Sequence, residues 1–129
     1  MSGRYLLDTN IVIAALSSDH DVMRRIEDAD EYFLSTTILG EMFYGAMHSA
    51  NMSNNLEQIE AFVSSTVFLA CDRRTARLYG EIKSSLRRKG KPIPENDIWI
   101  AASAKQHLLT LATRDVHFDE VDDLLLARW

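Results

Sequence analysis

Short apolar runs alternate with stretches of helical spacing along the whole chain, and this alternation restricts the possible fold more than any other feature. Each run has four to six residues, the length of a buried strand rather than of a helix. Strands that are separated by helices pair in parallel, and a parallel sheet needs helices on both of its faces. The sequence therefore predicts an α/β fold. The predicted strands are RYLL (4–7), EYFLST (31–36), TVFLA (66–70), LLTLAT (108–113) and, as an edge strand, DLLLA (123–127).

The segments between these runs carry helix signals. Asp8, Thr9 and Asn10 stand at the junction of the first strand and the first helix, and Ser35 or Thr36 can cap the helix after the second strand. Helices are predicted for DTNIVIAAL (8–16), for 20–29, from Ser35 or Thr36 to 49, for NNLEQIEAFVSS (54–65), for 72–89 and for the segment around Asp97.

The stretch IPENDIWIAASA (93–104) places a carboxylate at the head of an apolar helix face. At about 100° per residue, Asp97 shares its side of the helix with Ile100, Ala101, Ala104 and Leu108. Such a face is expected to pack against the core, where an ionised carboxylate is costly. Asp97 is therefore either a helix cap or a group that borders a metal pocket at the upper end of the buried face.

Three further acids are predicted to lie near the same edge of the sheet. Asp8 ends the first strand and Asp115 follows the fourth, so both occupy the carboxyl edge, where α/β folds bind their ligands. Glu41 lies on the helix after the second strand, opposite the apolar side of that helix. Each acid alone has a simpler explanation as a helix cap, a solvated helix residue or a turn residue.

Together the acids point to a cation. Two carboxylates about 4 Å apart repel each other by roughly 4 kcal/mol at an effective dielectric constant near 20. A fold that assembles four of them needs either protons or a cation, and Mg²⁺ or Mn²⁺ accepts such oxygen ligands. We therefore predict a metal-binding and catalytic set, with Thr9 and Asn10 as either helix caps or supporting hydrogen-bond donors. The set is Asp8, Glu41, Asp97 and Asp115.

Composition indicates a single globular domain over residues 1–129. The chain is 47% hydrophobic and 26% charged, and no apolar run approaches the roughly 20 residues of a membrane span. Cys71 is the only cysteine, the start of the chain lacks the pattern of a signal peptide, and the four histidines show no zinc-ligand spacing. We expect a cytoplasmic protein without a membrane partner.

The charge is unevenly distributed. The formal net charge is −5, which by itself argues against a polyanionic partner, yet the segment 73–91 carries eight basic residues and one acid. A basic helix face is usually solvated, and contact with RNA phosphates is the alternative. Lys91 and Arg114 flank the proposed pocket in sequence, and we predict them as RNA-binding residues.

These motifs together resemble the PIN-domain ribonucleases, most closely the VapC toxins of bacterial VapBC toxin–antitoxin systems. The similar stretches are LLDTN, TTILGEMFYG, IPENDIWIAASA and LATRDVHF, which follow the family's order over essentially the whole chain. The resemblance implies a three-layer α/β/α sandwich around a short, mainly parallel sheet. It also implies a Mg²⁺-dependent endoribonuclease, with Mn²⁺ as an alternative ion, whose acidic quartet falls on the four acids named above.

The resemblance has further implications. It implies a homodimer, a cognate VapB-like antitoxin that occupies the toxin's groove, structured RNA as substrate, and products with a 5′-phosphate and a 3′-hydroxyl. Asp123 stands where the family usually has glycine, which puts the geometry of the last turn in question. Two alternative functions remain open. The chain could be a non-catalytic PIN-like module that binds RNA or a partner, or a phosphatase with Asp8 as nucleophile. Such phosphatases need a second Asp two residues later, where this chain has Asn10.

Overall fold

The computed structural model describes residues 3–129, and within them helices and strands alternate as the sequence predicts. Its strands are β1 (Arg4–Leu7), β2 (Glu31–Ser35), β3 (Val67–Leu69), β4 (Thr110–Thr113) and β5 (Leu126–Arg128). Its helices are α1 (Thr9–Leu16), α2 (His20–Asp28), α3 (Thr36–Met47), α4 (Met52–Ser64), α5 (Arg73–Lys89) and α6 (Glu95–Gln106), and a 3-10 helix covers Val116–Glu120.

The five strands form one sheet in the order β3-β2-β1-β4-β5, with every neighbouring pair parallel. Because all strands run the same way, their carboxyl ends meet at one edge. In the central pair, Leu7 at the end of β1 is in register with Ala112 of β4. The predicted position of the last strand at the edge of the sheet is confirmed.

Helices cover both faces of this sheet. Successive strand side chains point to opposite faces, and Leu6 and Leu7 of β1 are both fully buried, as are Leu111 and Ala112 of β4. Burial on both faces requires a layer of helices on each side. The expected three-layer α/β/α arrangement is therefore confirmed.

Local hydrogen bonds explain where the helices begin and end. The Asp72 carboxylate accepts hydrogen bonds from Arg74 and Thr75, forming a capping box at the start of α5, and Gly90 ends that helix in the left-handed conformation. Among residues 3–129, no helix combines the length and the apolar character needed to cross a membrane.

One expectation for α6 is wrong. Ile100, Ala101 and Ala104 are buried as predicted, but the helix ends at Gln106, so Leu108 lies beyond it. Leu108 has a φ of 54° and a side chain that is 81% exposed. The left-handed turn that redirects the chain into β4 rotates this side chain out of the buried face.

Candidate active site

Four acids gather at the carboxyl edge of the sheet, beside the ends of β1 and β4. Asp8 follows β1 directly, and its backbone N–H donates to the Ala112 carbonyl at 3.0 Å. Asp115 follows β4, Glu41 lies on α3 and Asp97 lies in the first turn of α6. The charges of Glu41 and Asp115 act on Asp8, and those of Asp115 and Asp8 act on Asp97. The fold thus brings together all four acids of the predicted set.

Asp8 is both a helix cap and a member of this cluster. Its Oδ1 accepts a hydrogen bond from the Thr9 backbone at 2.8 Å, while Oδ2 accepts bonds from the Thr113 hydroxyl at 2.7 Å and from Asn10 Nδ2 at 3.3 Å. Burial raises the pKa of Asp8 above its ordinary value, and the bonds from Thr113 and Thr9 oppose that rise. The neighbouring charges of Glu41 and Asp115 raise the pKa further. The side chain is therefore held firmly in a place where its charge is disfavoured.

Glu41 is oriented by two residues from other elements. Its Oε1 accepts a hydrogen bond from the Thr9 hydroxyl at 2.6 Å, and its Oε2 accepts one from Asn96 Nδ2 at 3.2 Å. Of the two roles open to Thr9, helix cap or supporting donor, its hydroxyl takes the supporting one. The sequence does not indicate such a role for Asn96. Nothing in the residues around Asn96 indicates a contact with a residue 55 positions away.

Asp97 has the most perturbed acid–base equilibrium of the cluster. The residue is 9% exposed, and burial, followed by the charge of Asp115, raises the pKa of Asp97 to about 6. A hydrogen bond with His117 acts in the opposite direction. The position at the head of the buried face of α6 is the physical reason for the shift, because desolvation disfavours the charged form.

His117 is a site residue that the sequence reasoning missed. Its Nδ1 lies 3.1 Å from Asp97 Oδ2 and 3.1 Å from Asp115 Oδ1. One donor atom from each of these three residues lies within 4.8 Å of the others. Zinc-ligand spacing is a local signal along the chain, and a ligand set assembled from α6 and the segment after β4 leaves no such spacing.

The two predicted RNA-binding residues are placed differently. Lys91 is exposed on the loop between α5 and α6. Arg114 Nε donates to the Trp129 carbonyl at 2.8 Å, and its Nη2 pairs with Asp19 at 2.9 Å. In this structure Arg114 therefore links Trp129 to the segment before α2 and does not point freely into solvent.

Two open clefts adjoin the cluster through Glu41. One, of about 490 Å³, is lined by Thr37, Gly40, Glu41, Tyr44 and Asn96. The other, of about 410 Å³, lies between α1, α3 and α4 and has a largely apolar lining that includes Met42. Glu41, at the border of the acidic cluster, is therefore accessible from the α3 side.

The donor set suits a divalent cation. Buried carboxylates that sense one another's charge are stabilised by a cation, and carboxylate oxygens with an imidazole nitrogen are common ligands of divalent metals. The hydrogen bonds from Thr9, Asn96 and Thr113 orient the carboxylates without neutralising them. The residues present therefore fit a metal centre.

Comparison with known proteins places these features in a family. The protein-family model described as "PIN domain" matches residues 5–124 of this chain. Ribonuclease VapC2 of Haemophilus influenzae is 34% identical over 129 residues, covering 98% of each chain. The tRNA(fMet)-specific endonuclease VapC of Shigella flexneri is 31% identical, again with 98% of each chain covered. The crystal structure of VapBC2 from Rickettsia felis, bound to a DNA fragment from its promoter, aligns with a TM-score of 0.91, 26% identity and 98% coverage of both chains.

Proposed function

Because the chain belongs to the PIN domain family, we propose that it is a metal-dependent endoribonuclease and the toxin of a type II toxin–antitoxin pair. Relatives that align over 98% of this chain are named ribonuclease VapC and tRNA(fMet)-specific endonuclease VapC. A solved relative is a VapBC complex, which supports a VapB-like antitoxin as the partner. RNA is the substrate class, and its phosphodiester bonds are the bonds hydrolysed.

The observation that carries this proposal is the convergence of Asp8, Glu41, Asp97 and Asp115 at one edge of the sheet. A non-catalytic module has no need to bury two carboxylates, Asp8 and Asp97, beside further acids whose charges raise their pKa values. Such an arrangement costs folding free energy, and it is expected where a cation and a phosphodiester must be bound.

We propose Asp8, Asp97 and Asp115 as the residues that hold the metal, with Glu41 as a further ligand or as the group that orients water. Mg²⁺ is the expected ion and Mn²⁺ the alternative. A bound divalent ion would supply Lewis acidity to a phosphoryl oxygen and would make water more acidic.

Glu41 is the proposed proton acceptor, and Asp97 is the alternative. Glu41 faces both the acidic cluster and the open clefts, so it can reach a water molecule beside an incoming phosphodiester. Its two oxygens are already oriented by Thr9 and Asn96, which limits the motion needed for proton transfer. In-line attack by that water forms a new bond to phosphorus and breaks the bond to the 3′ oxygen, which takes a proton from solvent; the products carry a 5′-phosphate and a 3′-hydroxyl.

Lys91 and Arg114 are the proposed phosphate contacts. Lys91 is exposed and available beside α6. Arg114 would have to release Asp19 to reach RNA, but that ion pair is 45% and 34% exposed, and such pairs stabilise a protein by about 1 kcal/mol or less. An incoming phosphate can replace the Asp19 carboxylate as the partner of the guanidinium.

Incubation of the purified chain with total RNA tests the function. We expect cleavage with Mg²⁺ or Mn²⁺, none with EDTA, and a loss of at least about a thousandfold in Asp8→Asn and in Asp97→Asn, because each removes a charged ligand. Glu57→Gln, an exposed acid on α4, is the control and should cleave like the parent. Circular dichroism checks that each variant folds.

Full activity in either Asn variant would refute the assignment of the acids. Metal binding without cleavage of any RNA would favour the non-catalytic alternative, and a covalent phosphate on Asp8 would favour the phosphatase. Coexpression with the small reading frame adjacent to the gene tests the toxin role, since an antitoxin should relieve growth arrest and copurify.

A further inference from the structure

We infer that His117 is a ligand of the metal held by this centre, and that its imidazole nitrogen makes the site prefer Mn²⁺ to Mg²⁺. The inference rests on the proposed metal-dependent function and adds to it the identity of a ligand and the selectivity of the site. His117 is not one of the four acids of the predicted set.

The two distances from His117 to the acids are those expected between ligands of a single ion. His117 Nδ1 lies between Asp97 Oδ2 and Asp115 Oδ1, at 3.1 Å from each. Two ligand atoms that are each about 2.1 Å from one ion lie roughly 3–4 Å apart, so both separations already match a shared cation. The three donors come from α6 and from the loop after β4, which means that they converge only in the folded chain.

The backbone of the segment that carries His117 is held in place before any ion binds. The His117 backbone N–H donates to Asp115 Oδ1 at 2.9 Å, and the Asp115 N–H donates to the Thr113 hydroxyl at 2.9 Å. The next residue, Phe118, is fully buried and anchors the 3-10 helix in the core. The side chain of His117 is 49% exposed, so an ion can reach Nδ1 from solvent without unfolding this segment.

The nitrogen donor distinguishes the two candidate ions. Mg²⁺ requires a near-ideal octahedron of oxygen ligands and gives up its waters reluctantly. Mn²⁺ accepts the same carboxylates but tolerates a nitrogen ligand better, because transition metals have a higher affinity for imidazole. A site with Asp97, Asp115 and His117 therefore favours Mn²⁺ more strongly than the carboxylates would alone.

The competing explanation is that His117 is only a counterion. A positively charged imidazole could neutralise Asp97 and Asp115 in the free protein and be displaced when metal binds. The two explanations predict opposite effects of removing the imidazole, because a ligand strengthens metal binding and a displaced counterion weakens it.

The test compares the parent, His117→Gln and the control His20→Gln, all freed of metal with EDTA and held at one pH. His20 begins α2, outside the cluster. Calorimetric titrations with MnCl₂ and with MgCl₂ give the two dissociation constants, and pulsed electron paramagnetic resonance of the Mn²⁺-loaded protein reports on ¹⁴N nuclei bound to the ion.

We expect a ¹⁴N coupling in the parent and in His20→Gln, and its loss in His117→Gln. The dissociation constant for Mn²⁺ should rise about tenfold or more in His117→Gln, and the constant for Mg²⁺ should rise less than about threefold. The parent spectrum alone tests the ligand, so the inference does not depend on how well the variant folds.

An absent ¹⁴N coupling in the parent, or Mn²⁺ binding that is unchanged or tighter in His117→Gln, would overturn the inference. If Mn²⁺ still binds the parent and is lost in Asp97→Asn, the proposed nuclease centre stands and only the role of His117 fails. If the parent binds neither ion, the proposed function itself fails.

Discussion

The buried carboxylate of Asp97 lowers the stability of the metal-free protein at neutral pH, and the same group belongs to the proposed metal site. The side chain belongs to the buried face of α6, yet it carries a carboxylate whose pKa is raised to about 6 by burial and then by the charge of Asp115. The folded state therefore binds more protons than the unfolded state between about pH 4 and pH 6. The free energy of unfolding falls with increasing pH wherever the folded state binds the extra proton. The stabilising contribution of protonated Asp97 is therefore fully present below the unfolded pKa of 3.8 and is lost as the pH rises through about 6.

Replacement of Asp97 by Asn should therefore stabilise the metal-free protein at neutral pH. We expect the free energy of unfolding at pH 7 to rise by roughly 1–3 kcal/mol, because Asn fills the same volume without a charge. Thermal unfolding in EDTA from pH 4 to pH 8 measures this. Glu57→Gln on α4 is the control, and equal stability of Asp97→Asn and the parent at pH 7 would contradict the explanation.

At the residue scale the sequence predicted the acids but not their neighbours. Asp97 was indicated by a carboxylate on an apolar helix face, which is a local pattern that can be read from four or five positions. The contact of Asn96 with Glu41, and that of His117 with Asp97, joins residues 55 and 20 positions apart. No local periodicity encodes such pairs, because they depend on which strands and helices are neighbours.

At the scale of elements, the turns contain the residues whose backbone conformation departs from the usual preference of their residue type. Asp123, in the turn before β5, has a φ of 59°, the left-handed conformation that glycine adopts most readily. The resemblance to PIN domains had marked this position as one where glycine is usual. The chain keeps the turn and tolerates Asp there, since Asp enters this region at a lower cost than most residues.

Asp123→Gly should make the protein more stable. We expect the free energy of unfolding to rise by about 0.5 kcal/mol, because relief of the left-handed strain exceeds the entropy that glycine adds to the unfolded chain. Asp123→Ala is the matched comparison and should lower stability, since Ala has a Cβ and no polar side chain to favour this conformation. Urea unfolding measures both, and a destabilised Gly variant would show that the Asp side chain contributes more than its strain costs.

At the scale of the whole molecule, the segment 73–91 carries eight basic residues and one acid, although the net charge of the chain is −5. We call the exposed side of this segment the basic face. Several basic residues of α5 and its flanks are already paired, as in the ion pairs of Arg77 with Glu81 and of Lys89 with Asp122. Within residues 3–129, Arg87 and Arg88 have no acidic partner within 4 Å, and both are exposed at the end of α5. Their guanidinium groups are therefore available for contact with an RNA backbone, as is the exposed Lys91 in the loop that follows α5.

The double reversal Arg87→Glu, Arg88→Glu tests whether this face contacts RNA. If it does, RNA affinity measured in EDTA should fall about tenfold or more at low salt, and the slope of log affinity against log salt should decrease by about 1–2, because fewer counterions are released. Arg24→Glu, Arg25→Glu on α2 changes the net charge equally and is the control. Equal affinities for the two double variants would assign the basic face to solvent.

The sequence by itself determined the kinds of elements and their order, and it predicted the four acids, because strand and helix periodicity and the cost of a carboxylate on an apolar face are local properties. Only the tertiary structure decided which side chains meet. The order of strands in the sheet places the loop after β4 beside β1 and brings it into contact with α6, which brings His117 to Asp97, while the left-handed turn after α6 sends Leu108 into solvent. Such contacts follow from long-range packing, which is a property of the whole chain rather than of any short stretch of it.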